Sequence, residues 1–176
     1  MSYRPFLLLS AVALTGCAGV DVAQYQQERP ELHLEEYFNG TIDGWGMFQE
    51  RDGTVARRFK VVIDASWEGD EGILDEAFFF SDGSTQRRVW YLTCHADGRY
   101  TGTADDVVGT ASGQVSGNAL HWTYTLRLPV GEKVYEVTFD DWMYLQQDGI
   151  LLNRAVMKKF GIRLGEVTLA FKRRES

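Results

Sequence analysis

From Thr41 onward apolar and polar residues alternate with a period of two. Val55, Arg57, Phe59, Val61 and Ile63 form one such row; Leu74, Glu76, Phe78 and Phe80 form another. Two more are Arg88, Trp90, Leu92 and Cys94, and Tyr135, Val137, Phe139, Asp141, Met143 and Leu145. A period of two in β-branched and aromatic segments predicts half-buried strands. Asp-Gly pairs punctuate these segments at 52–53, 82–83, 97–98 and 148–149, with Gly117-Asn118 between them. Asp-Gly between alternating segments predicts a tight hairpin. Further turns are expected near 69–72, 106–109, 130–133 and 160–165. The spacing predicts about nine or ten antiparallel strands, each paired with its sequence neighbour. An up-and-down barrel suits such a series because closure removes the open edges. A two-sheet sandwich is the alternative. Before the strands, Leu34, Tyr37 and Phe38 stand at i, i+3 and i+4, and Asn39-Gly40 follows, which predicts a short helix able to cover one end.

Four of these rows are interrupted by charge. Strict alternation turns Arg57, Glu76, Arg88 and Asp141 toward the interior, while Asp140 falls on the outer face with Glu136 and Thr138. Asp105 or Asp106 adds a third acid, and Asp106 completes the candidate interior cluster of Arg57, Glu76, Arg88, Asp106 and Asp141. Unpaired buried charge is expensive, so these groups are expected to pair, the arginines in bidentate fashion. Two roles follow. The cluster is a structural ion-pair network that sets register, or it is a polar patch orienting a ligand head group while aromatic residues receive the apolar part. Glu76 and Asp141 could also act as general acid and base if they lie close together.

The N-terminus reads differently. Arg4 precedes an apolar run from Phe6 to Leu14, and small residues lead to Cys17. This is the layout of a secretory signal, and the run is shorter than the roughly 20 residues of a membrane-spanning helix. Residues 1–16 are therefore expected to be a signal peptide, 17–30 a modified cysteine and polar tether, and 31–176 one β-barrel domain. A tether of about a dozen residues reaches at most roughly 40 Å.

Composition narrows the partners. Without residues 1–16 the chain has 17 basic and 25 acidic residues, net −8. Such a balance argues against nucleic acid, which needs a basic stripe. If Cys17 is modified, Cys94 is the single remaining cysteine and no internal disulfide forms. Cys94 then reads as a small buried hydrophobe. The hydrolase, P-loop, dinucleotide and zinc-protease motifs are absent, and His33, His95 and His121 lack metal-ligand spacing. No cofactor or metal is expected.

Leu14-Thr15-Gly16-Cys17 resembles the bacterial lipobox at all four positions. The resemblance implies diacylglycerol attachment at Cys17, cleavage before it and acylation of the new amine. Ala18 in place of Asp resembles the outer-membrane sorting pattern of Gram-negative lipoproteins, with the domain on the periplasmic face. The segments WGMFQERDGTVARRF (45–59), RRVW (87–90), YTGTADDVVGTASG (100–113), FDDWMYLQQDG (139–149) and NRAVMKKFGIRLGEVTLAF (153–171) resemble a family of bacterial lipoproteins known as a domain of unknown function. That resemblance spans residues 31–173 and implies no activity. At the level of fold the chain is similar to lipocalins and other calycins, which carry Gly-x-Trp on the first strand after a helical turn. Asp43-Gly44-Trp45-Gly46 occupies that place without the spacer. The expected protein is a membrane-tethered, calycin-like binding module for a small amphipathic or lipid-like molecule. The alternatives are an interaction lipoprotein with a packed barrel and a calycin-type enzyme.

Overall fold

The computed structural model describes residues 19–175, so Cys17 and the apolar run before it lie outside the described residues. A 3-10 turn at Val22–Tyr25 and a one-turn helix α1 at Leu34–Tyr37 precede ten strands. The first five are β1 (Gly40–Glu50), β2 (Val55–Glu68), β3 (Glu71–Phe80), β4 (Thr85–Cys94) and β5 (Arg99–Thr103). The rest are β6 (Ala111–Ser116), β7 (Ala119–Val130), β8 (Lys133–Leu145), β9 (Ile150–Lys159) and β10 (Ile162–Arg173). Each pairs antiparallel with its sequence neighbours, and β10 returns to β1, closing the barrel.

The hairpins form where the Asp-Gly pairs stand. At all four, the glycine has a positive φ, between 76° and 92°, which glycine adopts without steric cost. In each, the aspartate carboxylate accepts the backbone N–H two residues on, at 2.8 Å for Thr54 and 2.9 Å for Ser84, and 3.3 Å for Arg99 and 3.4 Å for Ile150. The side chain thus supplies the bond that tightens the turn, while the glycine supplies the dihedral.

Inside and outside follow the alternation. Ile42, Val61, Ile63, Leu74, Trp90, Leu92, Trp122, Val137 and Leu151 are buried inside. The outer wall carries ion pairs instead: Arg87 with Asp75 at 2.6 Å, Arg154 with Glu166 at 2.7 Å, and Lys60 and Arg174 on Asp43 at 2.9 and 2.7 Å. Trp45 of the Asp-Gly-Trp-Gly sequence faces outward and is half-exposed, with Lys60 Nζ 5.7 Å from its ring. The flanking Gly44 and Gly46 face inward instead. A Cβ on Gly46 would lie 2.5 Å from the Phe59 ring and 2.9 Å from Leu169, so glycine lets those side chains cross the interior.

One end of the barrel is closed. Leu32, Leu34, Tyr37 and Phe38 are buried there. Tyr37 Oη donates to the carbonyls of Phe171 at 3.0 Å and Gly149 at 3.1 Å. Trp67 Nε1 donates to the Phe38 carbonyl at 2.9 Å, and Tyr100 Oη to Glu35 at 2.6 Å. Burial pushes the Tyr37 hydroxyl up to about 12. Part of the stretch expected to be a tether touches the barrel. In the 3-10 turn the Tyr25 ring packs on Trp142 and Tyr144 of the barrel wall at 6.1 and 5.3 Å. A single aromatic residue is enough to dock a segment that has no periodicity.

Candidate functional site: a hollow interior with a polar flank

The interior encloses a cavity of about 410 Å³, within the range of small-molecule sites, which runs from roughly 300 to 1,000 Å³. Leu34 and Phe38 form its floor at the plugged end. Phe48, Phe59, Phe78 and Phe80 line its upper wall near the β1–β2 and β3–β4 hairpins, with Phe59–Phe78 at 5.7 Å and Phe78 stacked on Phe80 at 6.1 Å. A packed-barrel interior is therefore not what these rows produce. Eight strands leave an interior that side chains just fill or that holds one small ligand, and ten make a wider circle. Gly44 and Gly46 remove further side-chain volume from it. Two of the hairpins at the mouth, β7–β8 and β9–β10, present exposed apolar side chains, with Phe160 93% exposed and Val134 63% exposed.

Of the five residues expected inside, Arg57, Glu76, Arg88 and Asp141 line the cavity, and Asp106 stands behind Arg88. Glu76 on β3 stands directly opposite Arg88 on β4. Arg88 is taken by Asp106 in the loop after β5: Nε donates to both carboxylate oxygens at 3.0 Å, and Nη2 to Oδ2 at 2.7 Å. Arg88 Nη1 lies 3.8 Å from Glu76 Oε2, beyond hydrogen-bond range, and both side chains are only 13% exposed. Burial opposes the arginine's charge, but its hydrogen bonds to Asp106 and the charge of Glu76 outweigh it and hold the guanidinium protonated. Asp141 on β8, 6% exposed, accepts a short hydrogen bond from Asn153 Nδ2 on β9. Tyr124 on β7 completes the flank, stacked on Phe139 at 5.0 Å and edge-on to Trp90 at 5.4 Å.

Burial raises both free carboxyls to about 7. For Glu76 the nearby Arg88 opposes that rise; for Asp141 the Asn153 hydrogen bond opposes it and the charge of Glu76 adds to it. Burial also lifts the Tyr124 hydroxyl, with Asp141 adding to the effect.

Arg57 does not belong to this cluster. It lies at the mouth, paired with Asp82 at 2.8 Å, hydrogen-bonded to Ser84 and placed 3.5 Å over the Phe80 ring. Ile63 is the β2 residue opposite Glu76, and Arg57 is six residues further along. At 3.3 Å per residue that separates the two by about 20 Å. Alternation places a residue on a face but carries no height. Asn153 and Tyr124 escaped the sequence reading, although each interrupts an inward apolar row, Leu151-x-Asn153-x-Ala155-x-Met157 and Leu120-x-Trp122-x-Tyr124-x-Leu126. They are neutral, and a search for charge passes over them. Cys94 is half-buried and packs against the core, and burial raises its thiol. His121 faces outward, 2.9 Å from Asp140 and stacked on Trp142 at 4.3 Å.

A closed ten-stranded up-and-down barrel, plugged at one end and hollow within, defines this chain as a calycin-like protein. It belongs to the family described as "Protein of unknown function (DUF3833)", whose model matches residues 11–173. No curated protein matches the chain.

Proposed function

We propose that this protein is a lipid-anchored envelope lipoprotein whose barrel binds a small amphipathic molecule. The hollow apolar cavity with a polar cluster on one flank carries this reading. An amphiphile's tail is matched by the Phe59, Phe78 and Phe80 wall and its head by the Glu76–Arg88–Asp141 side, the division usual in small-molecule sites. The exposed Phe160 and Val134 give the tail an apolar landing at the mouth. The lipobox-like Leu14-Thr15-Gly16-Cys17 supports an anchor at Cys17, and Ala18 supports the periplasmic face of the outer membrane. The tether leaves from the plugged end, so the mouth lies at the end remote from the anchor.

Native mass spectrometry of the full chain, extracted from its own envelope in nanodiscs, tests the binding reading. A co-purified mass that unfolding releases is the expected result. A barrel that is empty as isolated and takes up no apolar probe overturns it. The anchor is tested separately by cell fractionation: Cys17→Ala is expected to move the domain to the soluble fraction, and a variant that stays with the membrane refutes lipidation.

A second reading has its own observation. Two carboxyls raised to about 7 on one cavity are suited to trade protons with a substrate. Under that reading the bound molecule changes mass or connectivity on incubation, and Glu76→Gln and Asp141→Asn stop the change while leaving binding in place. A ligand recovered unaltered after prolonged incubation removes this reading.

A further inference from the structure

The charges facing the cavity do not balance. Each arginine has an acid of its own, Arg88 with Asp106 and Arg57 with Asp82. Glu76 shares Arg88 only at 3.8 Å, beyond hydrogen-bond range, and Asp141 has no ion pair among the described residues. Glu76 Oε2 is buried and has no hydrogen-bond donor among the described residues. Asp141 has a single hydrogen-bonding side chain, Asn153, which takes Oδ1 and leaves the other oxygen to the cavity. A buried acceptor without a donor costs the full desolvation of that atom, so a bound molecule that donates to it gains that amount. Aromatic rings stand beside these acids: Trp90 is edge-on to both Tyr124 and Trp122, at 5.4 and 5.9 Å. Carboxylates together with cavity-lining aromatic rings attract organic cations, and rings alone already hold quaternary ammonium groups.

We infer that the barrel takes an amphiphile with a cationic head, an alkylamine or quaternary ammonium, its nitrogen held between Glu76 and Asp141 and faced by Trp90 and Tyr124. This rests on the binding reading above and names its ligand class. An anionic head, carboxylate or phosphate, meets the opposite situation. The arginine deep in the cavity is already chelated by Asp106, and the surplus acids repel a second anion. A cation favours the ionised form of both acids, so its binding expels their protons. Affinity for a permanent cation therefore rises with pH through neutrality. The groups that set this are Arg88, Asp106, Asp75 and Trp90 around Glu76, and Asn153, Asp140, Tyr124 and Glu76 around Asp141.

Octyltrimethylammonium, octanol and octanoate share one tail and differ only in the head. Each is titrated into the full chain in nanodiscs, with empty nanodiscs as the blank, and binding is followed by tryptophan emission, since Trp90 and Trp122 line the cavity. At pH 8 the cation is expected to bind at least tenfold more tightly than octanoate, with octanol between them. At pH 5 the cation's affinity is expected to fall at least tenfold while octanol's stays constant. The double variant Glu76→Gln/Asp141→Asn, its fold checked by circular dichroism and urea unfolding, is expected to lose the cation's advantage over octanol and octanoate. Octanoate binding as tightly as the cation overturns the cationic-head inference and leaves the binding barrel standing. If none of the three binds, the binding reading fails and this inference fails with it.

Discussion

Replacing Glu76 by glutamine is expected to stabilise the protein at pH 8 and to change nothing at pH 4. Glu76 is held inside the barrel at about 7, against 4.5 for a free glutamate, because burial penalises its charge more than Arg88 favours it. Its folded value is thus raised. Below pH 4.5 both folded and unfolded chains carry the proton, and no penalty exists. Between pH 4.5 and 7 the unfolded chain has released its proton and the folded chain has not, so stability falls as pH rises. Above 7 the penalty is complete. The gap from 4.5 to about 7, at about 1.4 kcal/mol per pH unit, comes to roughly 3 kcal/mol. Glutamine keeps the size and removes the charge, so it recovers about that amount at pH 8. The carboxylates with lowered values, Asp43, Asp75 and Asp140, work in the opposite direction and lose their contribution only as pH falls below their unfolded value of 3.8. The two effects therefore occupy separate windows. Urea unfolding followed by tryptophan emission at pH 4, 6 and 8 measures the difference directly. If the variant and the parent have the same midpoint at pH 8, or differ equally at pH 4 and 8, Glu76 is not a buried acid facing an apolar cavity.

Other outcomes follow from the same geometry. Arg88→Ala leaves Asp106 without its bidentate partner and Glu76 without its nearest cation, and chemical denaturation at pH 7 is expected to show a loss of about 3–5 kcal/mol. Gly46→Ala drives a Cβ into Phe59 and Leu169 and is expected to cost about 1–3 kcal/mol by thermal unfolding, while shrinking the volume open to apolar probes. Tyr37→Phe removes the hydroxyl that joins the plug to the Phe171 and Gly149 carbonyls; a loss of about 1–3 kcal/mol is expected, with faster amide exchange at the plugged end. Unchanged exchange there would show that apolar packing alone holds the plug.

Much of this barrel is local chemistry and was legible along the chain. Strand number followed from alternation and from the Asp-Gly hairpins, because aspartate closes its own turn and glycine supplies the positive φ within a few residues. The inward direction of Glu76, Arg88 and Asp141 followed from the same period of two. Height along the barrel was not legible, since register between strands is a property of pairs. That is why Arg57 reads as a member of the cluster and sits about 20 Å away at the mouth, beside Asp82. The choice of Asp106 as the partner of Arg88 likewise depends on how the loop after β5 folds back, and the docking of Tyr25 depends on a wall contributed by Trp142 and Tyr144.

Whether the rows meet in the middle was decided only by closure. Sequence determined that nine or ten strands present apolar faces and that Glu76 and Asp141 point inward. Tertiary structure decided that the circle is too wide for those faces to fill, that α1 stops one end, and that Asp106 and Asp82 take the arginines, leaving Glu76 only a 3.8 Å approach to Arg88 and Asp141 only the neutral Asn153. Alternation is set residue by residue, whereas an enclosed volume and a charge balance are sums over every strand at once.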